Sequence, residues 1–147
     1  MKMNQLTIKV FVYPEAFSEM QAIRRSVFQE EQGVDPALEF DGLDEIATHL
    51  LAYLDERPVG TARLRYLDQQ TAKIERLAVL STARGLGIGK KLMGKALDVA
   101  EENNTQDVVV NAQEYVKALY QQLGFEQVGE RFEEAGIPHI KMIKRLR

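Results

Sequence analysis

Cysteine is absent from this 147-residue sequence, and that absence removes several classes of site at once. Without thiols the chain has no disulfide framework, no thiolate nucleophile and no zinc–thiolate centre. Long apolar runs are also absent, and the alternating start MKMNQLTIKVFV lacks the uninterrupted apolar segment of a signal peptide. We therefore expect a cytoplasmic protein with no membrane partner.

An excess of positive charge is missing as well. The 22 acidic residues outnumber the 19 basic ones, and no basic run is long enough to follow a nucleic-acid backbone. The sequence has no internal repeat and no low-complexity linker, and its hydrophobic content of 45% is enough for a substantial core. We expect one domain spanning residues 1–147 that does not bind nucleic acid.

Hydrophobic periodicity predicts the secondary structure. Strands are expected at 6–13, 49–54, 59–67, 71–80, 107–111, about 125–132 and 139–146. Helices are expected over 14–32, 87–103 and 115–123, with a loop over 33–45. Because the strands at 71–80 and 107–111 flank a helix, we expect them to be parallel and adjacent in the sheet.

The turn before the second helix is rich in glycine. In the stretch STARGLGIGKK, Gly85, Gly87 and Gly89 lie after a predicted strand and at a helix N-terminus. Unpaired amides and positive partial charge at such a position favour anionic groups, and Arg84 and two lysines add formal charge. The turn therefore predicts a phosphate or pyrophosphate site, although glycines that merely begin a helix would give the same pattern.

Two common phosphate motifs are excluded by their spacing. A P-loop ending at Gly89 would need glycine where Arg84 stands, and serine or threonine where Lys91 stands. A dinucleotide fingerprint would need its third glycine at the position of Lys90 or of Leu92. The turn is therefore either another class of phosphate site or simply the start of a helix.

The stretch RGLGIG resembles the (Q/R)-x-x-G-x-(G/A) signature of the GNAT N-acetyltransferase superfamily, with Arg84, Gly87 and Gly89 at the defining positions. LAV at Leu77–Val79 is similar to the strand before that signature, and ALYQQLGF at Ala118–Phe125 is similar to the A-x-Y-x-x-x-G-F segment. The stretches VFQEEQGV, EFDGLDEIATHLLAY and EEAGIPHIKM resemble the small bacterial ElaA/YjcF-like branch. The resemblance covers nearly the whole chain.

This resemblance implies a fold and an activity. The fold would be α/β (α+β), a single GNAT-like domain whose central mixed, mostly antiparallel sheet has about seven strands and helices on both faces. The activity would be acetyl-CoA-dependent N-acetylation, by direct transfer to a primary amine of a small molecule or peptide, without a metal. The alternative is a CoA-binding regulatory module without significant turnover. A homodimer is compatible with the many strand edges.

The resemblance also implies cofactor contacts. These are Leu77, Ala78, Val79, Arg84, Gly85, Leu86, Gly87, Ile88, Gly89, Lys90, Gln113 and Tyr120. Backbone amides of residues 84–90 would wrap the pyrophosphate, and the strand at 77–79 would pair with the pantetheine if the next parallel strand splays away. Gln113 stands where many relatives have asparagine. Tyr120 occupies the general-acid position, near the CoA sulfur, although its helical spacing alone would equally suit a packing residue.

The chemistry of acetyl transfer sets its own requirements. A primary amine with a pKa of about 10.4 is mostly protonated at neutral pH, and deprotonating it costs about 4.6 kcal/mol. A base must therefore take a proton from the amine. A tyrosine with a pKa of about 10 can protonate the leaving thiolate, whose thiol has a pKa of about 8.5, at a cost of roughly 2 kcal/mol. No serine lies in a Gly-x-Ser-x-Gly elbow, so direct transfer is favoured over an acyl-enzyme.

Several residues are candidates for the base. Glu75 is expected to share a strand face with Leu77 and Val79, which predicts that it reaches the thioester; alternatively it is a solvated carboxylate. The first helix ends in Glu30, Glu31 and Gln32, near the expected acceptor, or these are simply solvated.

The two histidines, His49 and His139, lie near strand starts and lack any metal-ligand spacing. Either could line the acceptor pocket or transfer a proton, or be a polar residue at a strand end. The acidic stretch EFDGLDE could attract a cationic amine, but an exposed loop explains it equally well. Its spacing does not match a calcium loop.

Overall fold

The computed structural model describes residues 5–147, which form an eight-stranded sheet. The strands are β1 Leu6–Val12, β2 Thr48–Leu54, β3 Arg57–Tyr66, β4 Thr71–Val79, β5 Asp107–Gln113, β6 Glu126–Gln127, β7 Phe132–Glu134 and β8 Ile137–Arg145. Their order is β1-β2-β3-β4-β5-β8-β6, with β7 paired to β8 outside that path. The predicted mixed sheet is confirmed.

Four α-helices accompany the sheet: α1 Phe17–Arg24, α2 Pro36–Glu39, α3 Ile88–Glu102 and α4 Lys117–Gln122. The helix predicted to begin at Pro14 begins three residues later, because Ala16 has a left-handed φ of 51° that a right-handed helix cannot include. From Arg25 to Glu31 the chain continues as a π-helix. The predicted loop over 33–45 contains α2, capped by the Asp35 carboxylate.

Strands β1 to β4 form an antiparallel meander, and β4 pairs with β5 in parallel, as predicted from the intervening helix α3. The parallel pairing is short. It runs only from Thr71↔Asp107 to Lys73↔Val109, after which the two strands diverge. The edge of β4 from Ile74 to Val79 therefore has no strand partner on the side of β5. This divergence opens the middle of the sheet.

A β-bulge in β4 changes which face its side chains reach. Arg76 and Leu77 together lie opposite Ala62 of β3, and Arg76 has a φ of 56°. Because the extra residue shifts the two-residue alternation, Glu75 points to the face covered by α1, whereas Leu77 and Val79 pack with the core under α3. The expectation that Glu75 shares a face with Leu77 and Val79 is wrong for this reason.

The two faces of the sheet carry separate apolar cores, so the expected placement of helices on both faces is confirmed. On one face, Leu92 and Met93 of α3 are fully buried against β2 to β5. On the other face, Met20 and Ile23 of α1 pack against Phe11 and neighbouring strand residues. Each such buried side chain contributes about 1.5–3 kcal/mol relative to exposure. The two cores fix the positions of β4 and β5 on either side of the opening between them.

The carboxyl-terminal region differs from its predicted single strand over 125–132. It forms two short strands, β6 and β7, separated by a turn in which Gly129 has a φ of 82°. β7 and β8 form a hairpin that brings Glu134 and Ile137 opposite each other. None of the helices within residues 5–147 is long and apolar enough to cross a bilayer.

Candidate functional site

A cavity of about 810 Å³ occupies the divergence of β4 and β5. It extends from the glycine turn, through the opening in the sheet, to the β7–β8 hairpin. Every residue expected from the sequence to contact a cofactor lines it except Leu86, whose side chain is exposed. The tertiary structure thus brings eleven of the twelve expected residues to one cavity.

The glycine turn forms a cradle at one end of the cavity. Gly85 and Gly87 have φ values of 81° and 76°, and Gly87 caps the N-terminus of the 15-residue helix α3. A Cβ atom added at either glycine would meet no heavy atom within 4 Å, so the space before the turn is open. Free amides at a long helix N-terminus beside open space fit a phosphate or pyrophosphate group.

The open edge of β4 forms the middle of the cavity. From Ile74 to Val79, β4 is paired with β3 on one side, but its backbone groups on the side of β5 have no partner strand, and such groups normally require one. An extended polar ligand can pair with this edge as an added strand would. The side chains of Leu77 and Val79 lie beside the glycine turn, since a Cβ atom built on Gly89 would be 3.9 Å from a methyl carbon of each. The open edge of β4 is therefore adjacent to the cradle.

Tyr120 of α4 lines the cavity and is also part of the core, with 6% of its surface exposed. Its ring packs edge-on against Phe125 at a centroid distance of 5.8 Å. Burial raises the pKa of Tyr120 to about 12. Complete proton transfer to a thiolate whose conjugate thiol has a pKa of about 8.5 would therefore cost about 5 kcal/mol rather than 2. This cost favours proton donation in concert with departure of the sulfur.

Arg84 is not a free cation at the cradle. Its guanidinium lies 2.6 Å from Glu31 of the π-helix and donates to the Val79 carbonyl oxygen at 3.0 Å. The hydrogen bond from Arg84 lowers the pKa of Glu31 below its ordinary value, so this carboxylate is a weaker base than the sequence suggested. Glu30, the neighbouring candidate, is exposed and does not line the cavity.

Two glutamines span the opening on the face of α1. Gln113, at the end of β5, donates from Nε2 to Gln32 at 3.0 Å, and Gln32 follows the π-helix. Both line the cavity. The pair links the two walls across the gap, and amides here offer hydrogen bonds without titrating near neutral pH.

A buried ionic cluster lies beneath the same face. Arg63 is fully buried and contacts Asp41 at 2.6 Å, Asp44 at 2.9 Å and Glu75. Arg24, 1% exposed, pairs with Asp44 at 2.7 Å and with Glu39 at 2.8 Å.

These carboxylates change the interpretation of the acidic stretch EFDGLDE. Its Glu39, Asp41 and Asp44 bind buried arginines, a role that neither the amine-attracting site nor the exposed loop anticipated. Glu75 likewise lines the cavity but pairs with Arg63 and, at 2.8 Å, with Arg65. Burial raises the pKa of Glu75, but these two arginines outweigh it and hold the pKa below the ordinary value, which weakens this carboxylate as a base.

The two histidines have different surroundings. His49 is 1% exposed, stacks on Phe11 and places Nε2 2.9 Å from the backbone oxygen of Asp44. Burial lowers its pKa, and it does not line the cavity. His139 of β8 does line the cavity, opposite Gln113 of β5 in the strand register.

Sequence reasoning missed Glu134 and Arg76, which line the cavity beside His139 and Glu75 respectively. Glu134 carried one available signal, since it lies five residues before His139 across a turn containing Gly136. Arg76 carried no such signal, because the alternation of polar and apolar residues in β4 does not reveal a β-bulge. Within residues 5–147, the side chains form no cluster of three metal-ligating groups.

The sequence is similar to a known protein family and to several of its members. The family model of the acetyltransferase (GNAT) domain matches residues 14–146. The uncharacterized N-acetyltransferase YjcF of Bacillus subtilis is 34% identical over 123 residues, which cover 83% of this chain and 87% of YjcF. Protein ElaA of Escherichia coli is 33% identical over 129 residues, which cover 84% of each chain.

Solved structures agree with the sequence relatives. The crystal structure of Escherichia coli ElaA superimposes with a TM-score of 0.86 at 28% identity, over 96% of this chain and 100% of that one. An acyl-CoA N-acyltransferase from Pseudomonas aeruginosa has a TM-score of 0.78 at 34% identity, over 97% and 99% of the two chains. The chain belongs to the GNAT acetyltransferase family, as the signature in its glycine turn indicated.

Proposed function

We propose that this protein is an acetyl-CoA-dependent N-acetyltransferase that transfers the acetyl group directly to a primary amine of a small molecule or peptide. The observation that carries the proposal is the continuous cavity from the glycine cradle to the far face of the sheet. The similar Pseudomonas aeruginosa structure is that of an acyl-CoA N-acyltransferase, which supports the same reaction class. Acetyl-CoA would supply the acetyl group as an activated thioester.

Each part of the cavity has a distinct task in this proposal. Backbone amides of residues 84–90 would hold the pyrophosphate, and the unpaired edge of β4 would hold the pantetheine. Arg84 already donates to the Val79 carbonyl, so the pantetheine would share this acceptor with the arginine through the second lone pair of the oxygen. Tyr120 would donate its hydroxyl proton to the leaving sulfur.

We expect CoA to raise the melting temperature of the protein, and ATP or NAD at equal concentration not to. The reason is that the turn fits neither the P-loop nor the dinucleotide spacing. Ligand at a hundred times its Kd stabilises a protein by about 2.7 kcal/mol. The measurement is a thermal unfolding series, followed by an assay of free thiol released from acetyl-CoA with a panel of amines.

A larger thermal shift with ATP than with CoA would contradict the cofactor assignment. CoA binding without thiol release above the amine-free rate, across the whole panel, would instead favour the regulatory module.

We expect Gly87→Val to weaken CoA binding by at least about tenfold. Gly87 has a φ of 76°, where a β-branched residue is strained by roughly 1–3 kcal/mol, and the new side chain would fill the open space before the amides. Calorimetric titration with CoA measures the loss.

Gly94→Ala is the matched control for this substitution. Gly94 lies inside α3, and an added Cβ meets no heavy atom within 4 Å. This variant is expected to bind CoA normally and to gain about 0.5–1 kcal/mol of stability. CoA affinity of Gly87→Val within twofold of the wild type would show that the turn is not the pyrophosphate site.

A further inference from the structure

We propose that His139 is the base that takes a proton from the acceptor ammonium, and that Glu134 holds this ammonium beside the imidazole. The assignment rests on the proposed N-acetyltransferase function and names a base for it. Both residues line the cavity on the side away from the glycine cradle. They belong to β7 and β8, so one hairpin places them.

The hydrogen bonding of His139 fixes the form of its ring. Nδ1 lies 2.7 Å from the backbone oxygen of Ile137, and a carbonyl oxygen can only accept a hydrogen bond. Nδ1 therefore carries the proton in the neutral imidazole, which leaves a lone pair on Nε2. Stacking on Phe132, with an interplanar angle of 28°, holds the ring in this orientation. The lone pair is thus positioned before any acceptor binds.

Glu134 faces that lone pair. Its Oε2 lies 3.5 Å from Nε2 of His139, and its Oε1 accepts a hydrogen bond from Nδ2 of Asn111 at 3.4 Å. Neither Oε2 of Glu134 nor the unprotonated Nε2 of His139 can donate a hydrogen bond to the other. Both atoms can therefore accept hydrogen bonds from one donor group placed between them. An ammonium group has three N–H donors and a positive charge, so it suits this pair, whereas a neutral alcohol or a carboxylate does not.

The carboxylate of Glu134 is also the one best able to bind an ammonium. Its side chain is 47% exposed and, within residues 5–147, has no arginine or lysine partner. By contrast, Glu75 and Asp41 on the same wall are paired with Arg63. The free negative charge of the cavity therefore lies beside His139.

The two proton-transfer residues lie on opposite faces of the sheet. Tyr120 packs in the core under α3 together with Ile140 of β8, and His139 is the residue before Ile140. Since successive strand side chains point to opposite faces, His139 faces the side of Gln113 and Gln32. The amine and the thiol can thus be served by different proton-transfer residues from the two faces of the sheet, without either residue displacing the other.

The protons balance as follows. One proton moves from the ammonium nitrogen to Nε2 of His139 and then leaves to solvent past Glu134. The neutral nitrogen forms the new bond to the acetyl carbon as the carbon–sulfur bond breaks, and the sulfur receives the hydroxyl proton of Tyr120. The nitrogen loses a second proton, which restores that hydroxyl, and the amide keeps the third. Each turnover therefore releases one proton.

The test compares ethylamine, which is protonated near neutral pH, with trifluoroethylamine, which is largely neutral there. In His139→Ala we expect kcat/KM for ethylamine to fall about 100-fold or more, and the value for trifluoroethylamine to fall at least tenfold less. Added imidazole should restore part of the ethylamine activity. The thermal shift produced by CoA should equal that of the wild type.

Glu134→Gln supplies a second variant, and Glu133→Gln is its matched control, since Glu133 is exposed and does not line the cavity. We expect Glu134→Gln to raise KM for ethylamine at least fivefold and to abolish the extra thermal stabilisation that ethylamine gives to the CoA-bound protein. Glu133→Gln should change neither quantity. Because the Glu134 side chain is half exposed, this variant is expected to fold normally.

Equal losses for the two amines, with no rescue by imidazole, would assign His139 a structural role and overturn the proposal. If the wild type acetylates amines and His139→Ala does so equally well, the assignment of His139 is overturned while the proposed function stands. A wild type that binds CoA but acetylates no amine would overturn the proposed function, and this assignment with it.

Discussion

Tyr120→Phe is expected to lower kcat by roughly 10²–10⁴-fold while leaving acetyl-CoA affinity nearly unchanged. Tyr120 lines the cavity, and the substitution keeps the ring, its contact with Phe125 and its place in the core while removing only the hydroxyl. An interaction formed chiefly in the transition state affects kcat more than binding. Steady-state kinetics, combined with calorimetric titration of acetyl-CoA, measure both quantities.

The raised pKa of Tyr120 adds a test of the same residue. With a pKa of about 12 the phenol stays protonated across the working range, so activity should show no loss from Tyr120 ionisation below about pH 10. Tyr66→Phe is the control, because Tyr66 is 41% exposed, bonds to Asn103 and does not line the cavity. Full turnover in a folded Tyr120→Phe protein would reduce this tyrosine to a packing residue.

Arg63→Met is expected to destabilise the protein by about 3–5 kcal/mol, a large part of the 5–15 kcal/mol typical of a domain. The arginine is fully buried, and its loss would leave the carboxylates of Asp41, Asp44 and Glu75 without their shared cation. Urea unfolding near neutral pH measures the change in free energy of unfolding.

Arg131→Met is the matched control for that change. Arg131 is 58% exposed and pairs with Glu114, so its replacement should alter stability by less than about 1 kcal/mol. A stability of Arg63→Met within about 1 kcal/mol of the wild type would show that the buried cluster contributes little.

The same cluster predicts how stability depends on pH. Arg63 and its neighbours hold the pKa of Asp41, Asp44 and Glu75 below the ordinary carboxylate value, despite the opposing effect of burial. Carboxylates of this kind stabilise the folded state fully above the unfolded-state pKa of about 4, and that stabilisation is lost as the pH falls through the lowered folded-state values. We expect the wild type to lose stability in acid, and Arg63→Met to lose less.

The sequence by itself determined the glycine cradle, the parallel strand–helix–strand unit and the signature that identifies the family. These features are local. The cradle needs only Gly85 and Gly87 before an amphipathic helix, and the parallel pairing follows from the order of three consecutive elements. Local conformation and short-range spacing are properties of contiguous residues, so they can be read without knowing the rest of the fold.

Only the tertiary structure decided which carboxylates are paired with arginines and which histidine lines the cavity. Glu75 moved to the other face because of the bulge at Arg76, a single positive φ that no periodicity reveals. Glu31 forms an ion pair with Arg84, which lies 53 residues away in the sequence.

The two histidines make the same point. Both are predicted near strand starts and look alike in the sequence, yet His49 is enclosed in the core beside the buried ionic cluster, while His139 lines the opening between β4 and β5. What separates them is the packing of distant segments. Burial, ion pairing and access to the cavity are set by contacts between elements far apart in the chain, and these determine which ionisable groups remain free to act on a substrate.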